Sequence, residues 1–384
     1  MPFVFRRSVE KAFQMDQLPS GLTLDLTNPL AADPPFITTA VDTVMYILDQ
    51  TLQRSMATSQ RSIIGSVVLA LERVLIADFT GLIRQKMRNE SFPRASIQGG
   101  LPPESKVTAF LVLMNNLDIA SDYIKRIVEG QLAGQSQFEP RGSVEDMFPF
   151  GSDARFVRAA LESLENSFAA QSRELLHDSI QVAFRNILQP RVRQIIAETF
   201  RDVNYQPDNQ RDTDIELGVD DADVVQLRFK RGWSALIRPI KRILTPNSFD
   251  QLLVVALAYV ATMLLSRIKG QDGIINELGA VRLEGDISGI FNAATASGNY
   301  ALRDIFTKCK QMTLIMNLDE DEWDEVSKDE AGGLGVQWVL TAEERSIASR
   351  IVHRRIAGNN GNGQILLRVF AEKTRSYGWL KQRW

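Results

Sequence analysis

The stretch DARFVRAALESLENSFAAQSRELLHDSIQVAFRNIL, from Asp153 to Leu188, decides the fold class. Phe156, Ala160, Leu164, Phe168, Leu175 and Phe184 recur in it at helical spacing, with charged residues between them. That pattern gives one apolar face and one solvated face, the signature of an amphipathic helix. Ser152 and Asp153 supply N-caps at its start. Pro190, which has no amide donor and crowds the turn before it, is expected to interrupt or kink the helix.

The same reading extends outward on both sides. Val41, Met45, Leu48 and Leu52 form an upstream stripe, and Val68, Leu71, Leu75, Phe79 and Leu82 form another. No segment sustains period-two alternation, and the pairs Asn360-Gly361 and Asn362-Gly363 sit in a Gly/Asn-rich tail rather than between two β-branched runs. The chain therefore reads as all-α. Long helices joined by short polar breaks, with no repeat of fixed period, favour consecutive helical bundles over a solenoid.

Three breaks punctuate the helices. Residues 91–105 contain Pro93, Gly99, Gly100, Pro102 and Pro103 and form a domain boundary; residues 202–223 are acidic and poor in apolar side chains, as in a loop within a bundle; residues 330–335 are Gly-rich. A softer boundary lies at Gly270 to Gly273. The expected organisation is a bundle over residues 1–102, a second over 103–270, a third over 271–355 and a tail over 356–384. Leu252 to Leu265 is apolar for fourteen residues, shorter than the roughly 20 that a membrane span requires, and is read as a buried core helix.

Of the 384 residues, 44% are hydrophobic, enough for real cores, and the formal net charge of −3 implies no global attraction to nucleic acid or to an anionic membrane. The single cysteine, Cys309, cannot form an intramolecular disulfide, which suits the cytosol. MPFVFRRSVEKAF at the start lacks the apolar core of a secretory signal.

Chemistry finds little purchase. The two histidines, His177 and His353, are isolated, and nucleophilic catalysis needs a supported nucleophile and base. Cys309 lies between two lysines that could lower its thiol pKa, although no histidine is near it in sequence. One Cys and two distant His cannot build a zinc site, and the acidic run around Trp323 lacks the alternating ligands and central Gly of a calcium loop. No phosphate-cradling or dinucleotide-type glycine motif occurs, so neither a cofactor nor a metal is expected. Arg228, Lys230, Arg231, Arg238, Lys241 and Arg242 cluster around Trp233, the one local feature that raises lipid or nucleic-acid contact; a solvated helix face is the plainer reading.

The segment LGAVRLEGDISGIFNAATASGNYALRDIFTKCKQMTLIMNLDEDEWDEV, beginning at Leu278, and QWVLTAEE, ending at Glu344, carry a more specific signal. With the Leu-Gly at Leu278, the Arg-Asp followed by Phe, the Gln-Met, the Asn-Leu and the closing Trp-x-Leu-Thr-x-x-Glu, they resemble the C-terminal end of subunit 4 of the conserved oligomeric Golgi complex. Upstream, VEKAFQMD, AVDTVMYILDQTLQRSMATS, LERVLIADFTGLIRQKMR and AFLVLMNNLDIASDYIKRI, the last built around a paired Asn-Asn and a following acidic residue, are similar to the same family. The resemblance spans roughly residues 8 to 352. The family's long N-terminal segment of coiled-coil character has no counterpart before Val9, and residues 356–384 do not match its tail.

The resemblance implies an elongated rod of helical bundles that tethers vesicles at the cytosolic face of the Golgi in intra-Golgi retrograde transport, without covalent chemistry. The implied partners are the other subunits of the oligomeric Golgi complex, Golgi SNAREs and a Sec1/Munc18-type protein, with membrane association through partners and no nucleic acid. Carried over position by position, Arg303 and Glu344 match an Arg and a Glu that pair across the C-terminal bundle, with Glu343 the alternate at the second position. Arginine suits such a pair because its planar fork can donate two parallel hydrogen bonds to a carboxylate. Trp338 matches an aromatic that would anchor the last helix. The alternatives are a helical regulator of a small GTPase acting through Arg303, and a rod subunit of a related tethering complex.

Overall fold

The structure, a computed structural model, describes residues 2–94, 102–134, 143–149, 151–205, 224–271, 274–296, 300–319, 322–324 and 337–352. Most of the acidic stretch 202–223, the Gly-rich break 330–335, His353 and the tail 356–384 lie outside the described residues. Among the described residues there is no strand, only an isolated parallel bridge between Ile275 and Val352. Contacts divide the chain into two units, each discontinuous in sequence: Met1–Arg191 with Ser234–Ala256, and Val192–Trp233 with the chain from Leu257 onward.

The first unit begins with α1 (Pro2–Gln14), α2 (Thr39–Met56) and α3 (Arg61–Val74), which passes through a π-helical turn, Leu75–Phe79, into α4 (Thr80–Asn89). It continues with α5 (Glu104–Ala133), the short α6 (Val144–Met147) and α7 (Asp153–Ala183). α7 packs along both α5 and α3, and α5 packs on α2 and α4. The apolar stripes read from the sequence form this core: Val41, Leu48, Leu52, Leu75, Phe79, Leu164 and Phe168 are all buried. Phe79 joins two layers, meeting Phe13 edge-on at 5.6 Å between ring centroids and Phe168 at 6.0 Å.

One detail of the Asp153–Leu188 stretch differs from the sequence reading, and the structure gives the expected interruption at Pro190 a specific form. Phe156 does not join the core: it is 39% exposed and lies under the Arg61 guanidinium, 4.3 Å from its ring centroid, beside the Arg61–Asp153 ion pair. It falls one turn from the α7 N-terminus, where the apolar face has only partly closed against α3. Pro190 does not end the helix. A π-helical turn, Phe184–Leu188, immediately precedes it, and the chain continues as α8 (Gln189–Thr199). The wider turn takes up the register change that a residue without an amide donor would otherwise force as a break.

α9 (Val224–Ile243) and α10 (Pro246–Lys269) each contribute residues to both units. α10 is long and apolar enough to cross a membrane; one side of it, with Leu252, Leu253, Leu257, Val260, Leu264 and Ile268, is buried in protein, and 44% of its most apolar window is buried. The second unit also holds α11 (Glu277–Thr295), a 3-10 turn (Tyr300–Phe306), α12 (Thr307–Met316) and α13 (Ala342–Arg350). α12 packs between α11 and α13. Phe229, Trp233, Leu283, Ile290, Phe306 and Met312 fill its core.

Candidate functional site: polar staples at helix ends

Asn115 and Asn116 of α5 are buried and the acidic residue after them, Asp118, is half-buried; each closes the end of another helix. Asn115 is fully buried; its amide nitrogen donates to the carbonyls of Phe36 (3.0 Å) and Ile243 (2.8 Å), and its oxygen accepts from the Thr245 amide (2.9 Å). Ile243 ends α9, so Asn115 satisfies a carbonyl that has no partner within its own helix. Asn116 exchanges two hydrogen bonds of 2.9 Å with Thr38, the N-cap residue of α2.

One turn further along α5, Asp118 accepts from the Thr245 hydroxyl, from the Asn247 amide at 2.6 Å and from the Ser248 hydroxyl at 3.4 Å. Pro246, which needs no amide partner, occupies the first position of α10. The spacing of Asn115 and Asp118 places both on one side of α5, against the α9–α10 turn. Buried polar groups left unpaired are costly, so this arrangement specifies which turn can occupy the site.

The C-terminal signature residues of the second unit have the same character. Gly279 follows Asn276, whose side chain caps α11 by accepting the Gly279 amide at 2.8 Å. A Cβ at Gly279 would stand 1.9 Å from the Tyr205 carbonyl oxygen, so the Leu278-Gly279 pair marks a backbone approach that only glycine permits. Tyr205 in turn donates its hydroxyl to Asp286 at 2.8 Å. Burial raises the Asp286 carboxyl to about 6, although the Tyr205 hydrogen bond and Arg282 pull against it.

Gln311 of the Gln-Met pair stitches the segment before α13 to α12. Its oxygen accepts the amides of Val339 (2.9 Å) and Leu340 (3.2 Å), and its nitrogen donates to the Gln337 carbonyl (2.8 Å). Asn317 of the Asn-Leu pair donates to Glu284 at 2.7 Å and to the Thr313 carbonyl at 3.0 Å. Burial raises the Glu284 carboxyl, against that hydrogen bond. Phe306, after Arg303-Asp304, is buried and meets Phe291 edge-on at 5.4 Å.

Glu344 is the third helical residue of α13. It closes a capping box with Thr341: the Thr341 hydroxyl accepts the Glu344 amide at 3.2 Å, and the Glu344 carboxylate accepts the Thr341 amide at 3.1 Å. Glu344 rather than Glu343 holds this position. Among the described residues, the cations within ion-pair distance of Glu344 are Lys308 at 3.3 Å and Lys269 at 3.9 Å. The Thr341 amide first, then Lys308 and Lys269, hold its carboxyl below the usual glutamate value. Arg303, half-buried, lies over the Phe291 ring at 5.8 Å from the centroid. Trp338 is half-buried, with the Arg345 guanidinium 5.3 Å from its ring centroid.

Sequence reasoning missed Lys308, Lys269 and the cap itself. Thr-x-x-Glu ahead of a helix is a capping-box pattern, and Thr341 to Glu344 displays it. The lysines come from other helices, and nothing local points to them. Cys309 behaves as an inert core thiol: it is buried against the Ala261 carbonyl, and burial pushes its pKa up to about 12 despite the flanking lysines. His177 is exposed on α7. The described residues hold no group of His, Cys, Asp or Glu able to bind a metal ion.

The signature residues of this chain therefore cap and staple helices, and the fold is that of an all-α protein built of consecutive packed helices. It is similar to the crystal structure of the C-terminal domain of the exocyst subunit Sec6p, with a TM-score of 0.54 and 12% identity, covering 98% of this chain and 88% of that one. The family model described as conserved oligomeric Golgi complex subunit 4, C-terminal, matches residues 110–346, and that of the COG4 transport protein, middle alpha-helical bundle, matches residues 1–87. The chain belongs to the conserved oligomeric Golgi complex subunit 4 family.

The family's members in Saccharomyces cerevisiae and Arabidopsis thaliana illustrate the distance. The yeast subunit is 28% identical over 255 residues, 62% of this chain and 29% of its own length. The Arabidopsis subunit is 22% identical over 348 residues, 89% of this chain and 42% of its own length. The chain thus spans less than half the length of these curated relatives.

Proposed function

We propose that this chain is the helical C-terminal part of a Golgi vesicle-tethering subunit that acts by binding, in intra-Golgi retrograde transport and Golgi organisation. Its contacts are with other subunits of the oligomeric Golgi complex, with Golgi SNAREs and with a Sec1/Munc18-type protein, at the cytosolic face of the Golgi membrane. The observation that carries this reading is family membership over residues 110–346, whose signature residues hold helix ends in place. Packed helices of this kind offer stiff surfaces and grooves between neighbours, the form in which partner helices are commonly bound.

Arg303 and Glu344 belong to this scheme as a coupled structural pair. Arg303 presses on Phe291, which packs on Phe306, and Glu344 takes Lys308 two residues further along, so both act on the chain that enters α12. The functional reading is tested by affinity purification of the tagged full-length gene product from its own cells, with mass spectrometry of what accompanies it. Recovery of the other oligomeric Golgi complex subunits is the expected result. Recovery of a small GTPase or of another tethering complex in their place would overturn it.

A further inference from the structure

A groove between α3 and α7 is used neither by the staples nor by the functional reading above. Both helices belong to the first contact unit. They start at the same end of the groove, where Arg61 of α3 and Asp153 of α7 form an ion pair at 3.0 Å. The groove has a volume of about 840 Å³. From Arg61 to Glu72 it follows α3 for about 17 Å, at the helical rise of about 1.5 Å per residue. Small side chains leave the room for it: Ser62, Gly65 and Ser66 on α3, Ala160 and Ser163 on α7.

Two apolar side chains stand exposed among these small ones, Leu69 at 49% and Phe156 at 39%. Phe156 is held in place. Its ring rests so near the α3 backbone that a Cβ at Gly65 would stand 3.0 Å from it, and the Arg61 guanidinium lies over it. A ring fixed in this way offers its exposed area at little further cost in side-chain entropy, as the anchors of protein interfaces do. Charge is ordered along the groove. The first end combines the Arg61–Asp153 pair with two helix N-termini, each carrying a partial positive charge. The far end holds the carboxylate of Glu72, half-buried and without a hydrogen bond or ion pair among the described residues.

We propose that this groove docks an amphipathic helix of a partner protein, lying antiparallel to α3 and α7. The partner presents apolar side chains at i, i+4 and i+7 to Leu69 and Phe156, and a Lys or Arg to Glu72. Antiparallel placement sets the partner's carbonyl end against the two N-termini of this chain, so the opposite partial charges attract. A helix fits better than an extended segment, because an extended segment is held by a sheet edge, and the walls of this groove are helices that pair their own backbone groups. The proposal rests on the reading of this chain as a subunit that acts by binding, and it gives one partner a form and a seat.

The test is the affinity purification described above, with the photo-reactive benzoylphenylalanine in place of Leu69 in the tagged full-length gene product and irradiation before lysis. The expected cross-link is to a segment of a co-purifying protein with that apolar spacing and a Lys or Arg on the same face. The same cross-linker in place of Ser62 should reach that segment nearer its C-terminus. Made as a peptide, the segment should bind the full chain, and Phe156→Ala or Leu69→Glu should weaken binding at least about tenfold. Ser66→Trp fills the groove from an exposed position and should do the same, with hydrogen-exchange protection of α3 and α7 unchanged. Glu72→Lys should weaken binding and be rescued by changing the peptide's basic residue to Glu. Recovery of the Golgi complex without a cross-link at Leu69, a cross-link to a second copy of this chain, or undiminished peptide binding by a folded Ser66→Trp variant would each overturn the proposal and leave the family reading standing. Failure to recover the complex at all would overturn the reading on which it rests, and the proposal with it.

Discussion

Replacing Asn115 by alanine removes three hydrogen bonds and leaves their backbone partners at Phe36, Ile243 and Thr245 without them. Each buried group left unpaired costs about 1–3 kcal/mol; the two carbonyls, which have a spare lone pair, fall at the lower end. The expected loss is about 3–6 kcal/mol, against a total domain stability on the order of 5–15 kcal/mol. Because the chain has two units, one global unfolding curve would blend them, so amide hydrogen exchange resolved by peptide is the better assay. Protection should fall in the α9–α10 turn and at the start of α2. Asn115→Leu fills the space but strands the same three groups, and should be nearly as damaging as alanine. If leucine restores stability, the effect is cavity formation; if alanine costs less than about 1 kcal/mol, the staple is not a stability element and the reasoning is refuted.

At Gly279, helix propensity alone makes alanine better by about 1 kcal/mol, whereas the collision with the Tyr205 carbonyl predicts a loss of about 3 kcal/mol, so the sign of the change in hydrogen-exchange protection of α11 decides between them. Asp286 has a folded pKa of about 6, above its ordinary value of 3.8. Its contribution is therefore fully present below about pH 4 and lost as pH rises through about 6, a fall of up to roughly 3 kcal/mol. Asp286→Asn should flatten that slope in pH-resolved melts of the second unit, and an unchanged slope would assign it elsewhere. For Arg303→Ala and Glu344→Ala, a double-mutant cycle read by hydrogen-exchange stability of peptides in the second unit should show coupling above about 0.5 kcal/mol, and additivity within error would remove the pair. Glu344→Ala alone should cost about 1 kcal/mol through its cap.

The helices were legible because their apolar spacing is a local property: Val41 to Leu52 and Leu164 to Phe184 are buried as their stripes require. Phe156 departs because a helix's first turn can carry an apolar residue that its neighbour does not cover. At Pro190 the α-helix is interrupted as its missing amide requires, but the chain stays helical because a π turn can absorb a proline that an α-helical ladder cannot. At the C-terminal site, Gly279, Gln311, Asn317 and Glu344 were visible as a family pattern, but their partners Tyr205, Leu340, Glu284 and Lys308 are distant in sequence and emerge only on packing. The contact units are discontinuous along the chain, and a scan for proline and glycine breaks proposes contiguous segments only.

The reach of Asn115 and Asp118 to residues 243–248 also imposes an order on biosynthesis. The helices from α1 to α7 emerge from the ribosome well before the turn that answers those side chains, at a rate of about 5–20 residues per second. Until residues 234–256 arrive, the nascent first unit holds an unmatched polar notch where its last wall belongs. Its completion is a late, long-range event of the kind that slows folding. A fragment cut between the end of α7 and Ile243 should therefore depend on a chaperone, and the turn from Ile243 to Ser248, supplied in trans, should be the piece that releases it.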